Sequence, residues 1–374
     1  MNILGLYGAV GWCVSVQKWL HSAGASLISD GKVLGSISEE RLSREKYDGN
    51  YPQNSIEYLL KDNNLSEEDI THIAYSLSIH TANSIENWGL IEDILKRQFP
   101  NAEISFVDHH LAHVFVAIAA SGFESCSVLS VDGSGNSEPI YDSNFRVVSA
   151  ENETGLYAIM DHKSFLVYKR FMNRPFVSSV FNSGNVYNNV SRYVYAQMEP
   201  ARTSRFTNPF LFMEQAPGKI MGLSAYGDKK GERMLFIRDD SYFPVIGDHV
   251  DETEMKKFDP KDIAFWLQSD FQTSFVEFFD RLPLVSKMKN LVLAGGCFLN
   301  VLANRELLDR CGFKEVFIYP ATNDNGLCLG AAIYRSIKEG WDIQWPKGKV
   351  YLGKEYLSNE IKHVLTERIG DDQV

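Results

Sequence analysis

Short apolar runs, each ended by glycine or polar residues, recur along the chain and predict β-strands. The first runs cover residues 2–7, 25–29 and 33–39, and an Asp30-Gly31 pair separates the last two. Asp-Gly between two strands is the signature of a tight two-residue hairpin turn. The chain is therefore predicted to begin with an antiparallel meander of three strands.

The meander is followed by a regular alternation of helix and strand patterns. Apolar spacing predicts a helix over residues 54–61, and Ser66 with Asp69 forms a capping box at the start of another. Strands are predicted at residues 72–77 and 103–107, and the second leads directly into the helix-forming segment HHLAHVFVAIAASG. The predicted order over residues 1–123 is thus β-β-β-α-β-α-β-α.

The second half of the chain repeats this order. Its predicted elements are strands at 127–133, 139–143 and 145–151, then, after a long interval, a strand at 290–296, a helix at 300–311, a strand at 315–320 and an apolar helix at 327–337. Two copies of one order predict an α/β fold of two RNase H-like lobes with a cleft between them.

The repeat also predicts a domain organisation. Residues 1–123 should form the first lobe and carry the helix that contains the paired histidines. Residues 124–350 should form the second lobe, with a largely helical insertion at about 150–290, where the periodicity is weak. Residues 351–374 become polar and predict a solvated tail or the start of a linker.

Composition and charge narrow the classes of function. The chain has 374 residues, 44% hydrophobic and 23% charged, and a formal net charge of -11. That charge disfavours nucleic acid and favours a small-molecule or protein partner. Five scattered cysteines without a CxxC pair argue against a thiolate zinc site and fit a reducing cytoplasm. Neither a secretory signal nor a membrane span is expected.

The segment VDHHLAH contains the sharpest chemical signal. His109 and His113 are four residues apart at the start of a predicted helix, so both imidazoles project from one face and can chelate one cation. Hydrogen-bonded histidines in an ordinary first turn explain the pattern equally well. His110 points to another face and is expected to have a supporting role. Asp324, at the corner between a strand and a helix, is a candidate third ligand, or simply a helix cap.

Two glycine-containing turns are candidates for nucleotide contacts. In VDGSGN, the small residues at 132–135 would let backbone N–H groups approach a phosphate, although the segment also fits a plain hairpin turn. In LAGGCFLN, the Gly295-Gly296 turn precedes a helix with Asn300 on one face, which suits a flat nucleoside; close packing of strand and helix is the alternative. Lys219, in the glycine-rich GKIMGLSAYG, is a weaker candidate for the same cleft.

Candidates for acid–base chemistry and anion binding lie near the start of the chain. His21 precedes a buried strand and could act as a general base, because its ordinary pKa is near neutrality; a partly buried structural histidine is the alternative. Arg41, Arg44 and Lys46 are candidate anion contacts in a loop that could equally be solvated.

Taken together and in this order, six segments resemble the NodU/CmcH-type O-carbamoyltransferases. The segments lie within residues 1–360 and include HSAGASLISDGKVLGSISEERLSREKYD, FVDHHLAHVFVA, VLSVDGSGN, GKIMGLSAYG, LVLAGGCFLNVLANREL and YPATNDNGLCLGAA. The resemblance implies the actin/hexokinase/Hsp70-like (ASKHA) fold, which agrees with the duplicated strand order.

The resemblance also implies a chemistry. A divalent metal, often iron and otherwise manganese or zinc, would be held by His109, His113 and Asp324. Carbamoyladenylate, made from carbamoyl phosphate and ATP at a YrdC-like domain, would be received here, and its carbamoyl group would pass to a hydroxyl of a sugar, nucleoside or natural-product intermediate. The phosphate would face Asp132, Gly133, Ser134 and Gly135, and the nucleoside Gly295, Gly296 and Asn300.

Two departures from the family pattern qualify this expectation. His21 matches the family's N-terminal histidine, but Ser22 stands where the family has aspartate, and the preceding loop at about 9–20 is longer. The family normally continues past a segment like 351–356 into the YrdC-like domain, so a YrdC-like domain or partner protein is expected to supply the donor. An ATP-dependent phosphotransferase and a non-catalytic nucleotide-binding subunit remain the alternative functions.

Overall fold

The computed structural model describes residues 1–10, 20–76, 84–141, 143, 147–173, 183–199, 214–228, 237–238, 244–245, 255–282, 288–346 and 348–369. Most of the predicted loop at 9–20, the last residues of the chain and much of the predicted insertion lie outside these ranges.

The strands of the described residues are β1 (Asn2–Tyr7), β2 (Gly24–Ser29), β3 (Lys32–Ser38), β4 (His72–Ser76), β5 (Glu103–Val107), β6 (Ser125–Val131), β7 (Ser137–Tyr141), β8 (Val147–Asp161), β9 (Ser164–Asn173), β10 (Ile237–Arg238), β11 (Pro244–Val245), β12 (Asn290–Ala294) and β13 (Glu315–Ile318).

The α-helices are α1 (Glu40–Ser43), α2 (Gln53–Asp62), α3 (Ser84–Gln98), α4 (His109–Ser121), α5 (Ser183–Met198), α6 (Ala216–Leu223), α7 (Pro260–Arg281), α8 (Val301–Arg310), α9 (Leu327–Lys338) and α10 (Ser358–Ile369). No described helix is long and apolar enough to cross a membrane.

The first sheet has the strand order β3-β2-β1-β4-β5. β1, β2 and β3 form the predicted antiparallel meander, and β4 and β5 continue the sheet in parallel with β1. The hairpin between β2 and β3 turns at Asp30 and Gly31, which have φ values of 47° and 79°. Positive φ at both central residues defines the turn type that Asp-Gly favours, so the sequence sets this connection directly.

The second sheet repeats that order as β9-β8-β6-β12-β13. β6, β8 and β9 pair antiparallel, while β12 and β13 are parallel to β6. The long strand β8 uses its second half, from Gly155 to Asp161, for β6, and its first half for the short strand β7. The predicted α/β fold of two RNase H-like lobes, the ASKHA architecture, is confirmed by this duplicated order.

The strands that form the second meander differ from the predicted ones. Residues 139–143 and 145–151, predicted as its second and third strands, belong to β7 and to the start of β8, and the third strand is β9. The insertion predicted from about 150 therefore begins no earlier than the end of β9. β9 is an edge strand with Leu166, Val167 and Tyr168 exposed, so burial imposes no alternating pattern that the sequence could reveal. Beyond it, the described residues between 183 and 281 are mostly helical. The rest of the predicted helical insertion lies outside the described residues.

Helices α4 and α9 cross between the lobes, and each packs on the sheet of the other half. α4 follows β5 of the first sheet but lies against β6, β12 and β13, whereas α9 follows β13 and lies against β1, β2 and β4. The first lobe was predicted to carry α4; the helix instead covers the second sheet. Its apolar face joins residues of both sheets in one continuous core that also includes α9.

The C-terminal segment contains a helix. Residues 358–369, predicted to belong to a solvated tail or the start of a linker, form α10. Its side chains are mostly exposed, including Ile361, Val364 and Leu365.

The two crossing helices are in backbone contact at Gly330. A Cβ atom built there would lie 1.8 Å from the carbonyl oxygen of Ala112, whereas one at Gly89 in α3 would meet no atom within 4 Å. We therefore expect Gly330→Ala to lower the free energy of unfolding by about 1–3 kcal/mol through overpacking. Gly89→Ala should raise it by about 0.5–1 kcal/mol through helix propensity. Chemical denaturation measures both, and a Gly330→Ala variant as stable as wild type would contradict the backbone contact.

Candidate active site

Two histidines and two aspartates from three separate segments converge between the lobes. His109 and His113 project from the first turns of α4, with their Nε2 atoms 3.1 Å apart. Asp132, directly after β6, places Oδ2 3.0 Å from His109 Nε2 and 3.4 Å from His113 Nε2. Asp324, at the turn before α9, places Oδ1 3.7 and 3.6 Å from the same two nitrogens. One ligand atom from each of the four residues thus shares a small space.

The chemistry and spacing of this cluster fit a bound metal ion. All four ligand atoms lie within 4.8 Å of one another. Ligands about 2.1 Å from a common ion are about 3 to 4 Å apart, which is the spacing seen. Two imidazoles with two carboxylates suit iron, manganese or zinc, and the donor set does not choose among them.

The electrostatics of the cluster favour a positive charge at its centre. Burial lowers the pKa of His109, but Asp324 and Asp132 outweigh that effect and raise it to about 9. Burial raises the pKa of Asp132, but the hydrogen bonds and charges of the two histidines reverse this and hold it well below its usual range. The carboxylates therefore hold a proton on His109, and a metal ion bound at the cluster would take the place of that proton.

A cleft of about 570 Å³ opens beside the cluster. Residues of both lobes line it, including Tyr7 and His21 from the first and Gly133, Ser134 and Phe271 from the second. A concave space of this size with converging polar groups is typical of a small-molecule site.

The amino-acid sequence matches a known family over most of its length. The profile described as "Carbamoyltransferase N-terminus" matches residues 13–88 and 74–333. The chain belongs to this carbamoyltransferase family.

Two curated relatives illustrate the range of the match. The nodulation protein NolNO of Sinorhizobium fredii is 27% identical, covering 87% of this chain and 47% of its own length. The uncharacterized protein MJ1051 of Methanocaldococcus jannaschii is 22% identical, with 93% and 61% covered. The chain therefore spans about half the length of the curated relatives it matches.

Solved structures are similar only at a low level. Component A of the (R)-2-hydroxyglutaryl-CoA dehydratase of Acidaminococcus fermentans is 15% identical with a TM-score of 0.48, covering 91% of this chain and 99% of that one. Full-length HypF in its phosphate- and nucleotide-bound form is 15% identical with a TM-score of 0.46, covering 94% and 56%. The family assignment rests on the sequence match and the fold on the strand order.

In this carbamoyltransferase-family chain, Asp132 belongs to the cluster with the two histidines, which the sequence patterns did not predict. Asp132 was predicted to face a phosphate together with the glycines that follow it. Its Oδ2 instead faces both histidines, and its Oδ1 accepts the backbone N–H of Gly296 at 2.9 Å. A Cβ at Gly296 would lie 2.5 Å from that same oxygen, so the glycine is needed to bring the backbone donor close. The sequence therefore missed Asp132 as the fourth member of the cluster.

Tyr7 is a second residue that the sequence analysis missed. Its hydroxyl donates to Asp324 Oδ2 at 2.5 Å, which orients the carboxylate so that Oδ1 faces the histidines. Tyr7 is the last residue of β1, and Asp132 follows the last residue of β6, the equivalent strand of the second sheet. This correspondence between the ends of β1 and β6 is the sequence signal that could have identified Tyr7 and Asp132 as site residues.

His110 has the supporting role that the sequence suggested. Its Nδ1 is 2.9 Å from Ser130 Oγ, and its Nε2 is 3.2 Å from the backbone oxygen of Glu153. Burial, followed by the charges of His109 and His113, lowers its pKa to about 3, so the ring is neutral. Gly135 lies against this ring rather than in the cleft, since a Cβ there would be 2.7 Å from it.

The predicted nucleotide contacts are only partly brought together. Gly133, Ser134, Gly296 and Asn300 line the cleft, but the Asn300 amide is already paired with Gln268 and caps α8 through the N–H of Ala303. Gly295 is not among the lining residues; it has φ 95° and lies against the backbone of β6, whose Val131 oxygen would be 2.2 Å from its Cβ.

Lys219 and three other predicted basic contacts lie away from the cleft. Lys219 is exposed on α6 and does not line it. Arg41 and Lys46 pair with Glu40, and Arg44 donates to the backbone oxygen of Arg41. These charges stabilise their own loop, which is the solvated alternative given above.

His21 lies in the cleft next to the cluster. Its Nδ1 is 3.1 Å from Ser22 Oγ, and its Nε2 is 3.5 Å from Glu214 Oε2 and 3.9 Å from Asp324 Oδ2. Burial lowers its pKa, but the charges of Glu214 and Asp324 outweigh this and raise it. The serine that replaces the family's aspartate thus contacts the ring, while carboxylates from elsewhere face its other nitrogen.

The four-residue cluster predicts which variants of the protein lose bound metal. After metal loading and dialysis, we expect Asp132→Asn, Asp324→Asn and His109→Ala each to bind metal about tenfold more weakly or worse, because each removes a donor. His110→Gln should keep its metal, since both His110 nitrogens are used elsewhere. Elemental analysis per chain measures this, with circular dichroism to confirm folding. Wild-type metal content in folded Asp132→Asn would remove Asp132 from the set.

A partly buried ion-pair network at the start of α4 predicts a pH dependence of stability. Arg170 on β9 bridges Glu153 and Asp108, the residue that caps α4. Burial, followed by the charge of Asp108, raises the pKa of Glu153 to about 8 despite Arg170. The folded protein therefore keeps a proton that the unfolded chain loses above its ordinary carboxyl pKa, and the stability this contributes is lost as pH rises from about 5 to about 8.

Replacing that carboxyl with a neutral amide should remove the effect. Relative to wild type, Glu153→Gln should gain stability as pH rises through this range, by at most about 1.4 kcal/mol per pH unit. Thermal unfolding at several pH values measures the difference, with Glu124→Gln, at an exposed position, as the control. A constant offset between Glu153→Gln and wild type would show that Glu153 does not change protonation in this range.

Proposed function

We propose that this chain transfers a carbamoyl group from carbamoyladenylate to a hydroxyl of a small-molecule acceptor. One observation carries the proposal: in a chain of the carbamoyltransferase family, a single cleft holds a candidate base, His21, beside a cluster suited to a metal. The acceptor is a sugar, nucleoside or natural-product intermediate, and the reaction belongs to the cytoplasm. The donor comes from a YrdC-like domain or partner.

The transfer step can be written with the residues of the cleft. The acceptor oxygen forms a bond to the carbamoyl carbon, and the bond between that carbon and the phosphate oxygen breaks. AMP leaves with the electron pair, and the acceptor proton passes to a nitrogen of His21. Nε2 is the candidate atom, since Nδ1 contacts Ser22, and the nearby carboxylates of Glu214 and Asp324 would stabilise the imidazolium that forms. The products are a carbamate ester and AMP.

Residues of both sheets would hold and orient the reactants. His109, His113, Asp132 and Asp324 would hold a divalent metal, which when bound would supply Lewis acidity toward the carbonyl or phosphate oxygen. Tyr7 fixes the orientation of Asp324, and the Gly296 N–H fixes that of Asp132. Gly133 and Ser134 line the cleft and have side chains small enough for a phosphate to approach their backbone.

Release of AMP tests the proposal. Metal-loaded chain is mixed with carbamoyladenylate made by a separate YrdC-like domain, and AMP release is followed with and without hydroxyl acceptors. We expect metal-dependent release that falls at least about tenfold in His109→Ala and, with acceptor present, in His21→Ala. His363→Ala, at an exposed histidine of α10, is the matched control and should behave as wild type.

Two results would overturn the proposal. Release no greater than with the YrdC-like domain alone, despite bound metal and nucleotide, would favour a non-catalytic binding subunit. Transfer of labelled phosphate from ATP to the acceptor would favour a phosphotransferase.

A further inference from the structure

Three cleft residues lie together beside His21, and of these only Glu214 has been mentioned so far, as a neighbour of the His21 ring. Tyr47, Arg192 and Glu214 all line the cleft and come from distant parts of the chain. Arg192 on α5 donates to Glu214 Oε1, and Glu214 Oε2 is 3.5 Å from His21 Nε2. The group that would take the acceptor's proton is therefore flanked by an ion pair.

Tyr47 is held at the cleft by its backbone. It has φ 58°, in the left-handed region that residues with a side chain seldom adopt. The Glu40 carboxylate accepts the Tyr47 N–H at 2.8 Å and holds this conformation. Strained backbone of this kind persists where the surroundings enforce it and is common at binding sites. Burial, followed by the charge of Glu214, raises the pKa of Tyr47, so its phenol stays a hydrogen-bond donor.

The charges of this group balance. Glu214 carries one negative charge and Arg192 one positive charge, and the two are in direct contact. The ion pair therefore presents a carboxylate acceptor and guanidinium donors side by side without net charge. Neighbouring hydroxyls match such a pair, because each hydroxyl both donates and accepts.

Arg192 also has hydrogen-bonding capacity that the protein leaves unused. Its side chain is 21% exposed, and its Nε is buried with no hydrogen-bond partner among the described residues. A guanidinium offers five N–H donors, and a buried donor without a partner is costly. The exposed fifth of the side chain can still present other guanidinium N–H groups to a ligand oxygen in the cleft.

We propose that Tyr47, Arg192 and Glu214 form an acceptor subsite for an uncharged, polyhydroxylated molecule with the shape of a sugar ring. Lys46 Nζ lies over one face of the Tyr47 ring, 4.7 Å from its centroid. The opposite face of the phenol suits the apolar face of a sugar ring, and the ion pair suits adjacent hydroxyls. A hydroxyl next to those held by the ion pair then faces His21. This inference rests on the proposed function, because it assigns the acceptor of that reaction.

Charge balance gives a sharp test that needs no donor. Three probes of one shape differ only in charge: methyl glucoside is neutral, its 2-amino-2-deoxy analogue is cationic, and the methyl glucuronide is anionic. Ligand-observed NMR titration of the metal-loaded chain gives the dissociation constant of each. We expect wild type to bind the neutral probe at least about fivefold more tightly than either charged probe.

Variants of the ion pair should change this preference in opposite directions. Glu214→Gln leaves Arg192 uncompensated and should favour the anionic probe, whereas Arg192→Gln leaves Glu214 uncompensated and should favour the cationic one. The double variant restores neutrality and should again favour the neutral probe. Glu355→Gln is the control, because Glu355 forms an exposed ion pair with Lys349. This variant should keep the wild-type order of preference among the three probes.

Two results would overturn the subsite: no measurable binding of the neutral probe by folded wild type, or one order of preference in all four proteins. Either is distinguishable from failure of the proposed function, which is read from metal-dependent AMP release and its response to hydroxyl acceptors. A wild type that releases AMP but binds none of the three probes keeps carbamoyl transfer and loses this assignment of the acceptor.

Discussion

The site depends on a backbone contact between two helices. α4 and α9 cross where Gly330 meets the carbonyl of Ala112, and no larger side chain fits between them. His109 and His113 begin one of these helices, and Asp324 begins the turn before the other. Because each helix packs on the sheet that the other follows, the crossing places their N-terminal ends at one point. The candidate metal-binding cluster is thus a consequence of how the lobes exchange helices.

The duplicated sheets supply the rest of the cluster from equivalent places. Tyr7 ends β1, and Asp132 follows β6, the central strand of the second sheet. One binds Asp324 through a phenol, and the other faces the histidines directly. Neither residue is adjacent in sequence to the others it contacts. The two lobes share one site because each contributes a residue at the end of its central region, from the equivalent strands β1 and β6.

The sequence patterns predicted those strands and turns whose side chains are constrained by burial in the core. The five strands of the first sheet and the Asp-Gly turn were predicted within one or two residues, because their side chains face a continuous core. β9 was missed because an exposed edge strand needs no alternating pattern. His109, His113 and Asp324 were found from spacing and family resemblance. The pairing of Asp132 with them, and the grouping of Tyr47, Arg192 and Glu214, depend on contacts between distant segments, which no local pattern records.

The two ends of the cleft differ in charge, and under the proposed function this difference would affect how its ligands bind. At one end, the Asp132 and Asp324 carboxylates lie against the two imidazoles and favour a cation. A phosphate-bearing donor and a metal ion bound there would be thermodynamically linked, each raising the affinity of the site for the other. At the other end, Arg192 compensates Glu214, so an uncharged acceptor would need no such partner. If the proposed function holds, charge would separate a donor end of the cleft from an acceptor end, with His21 between them.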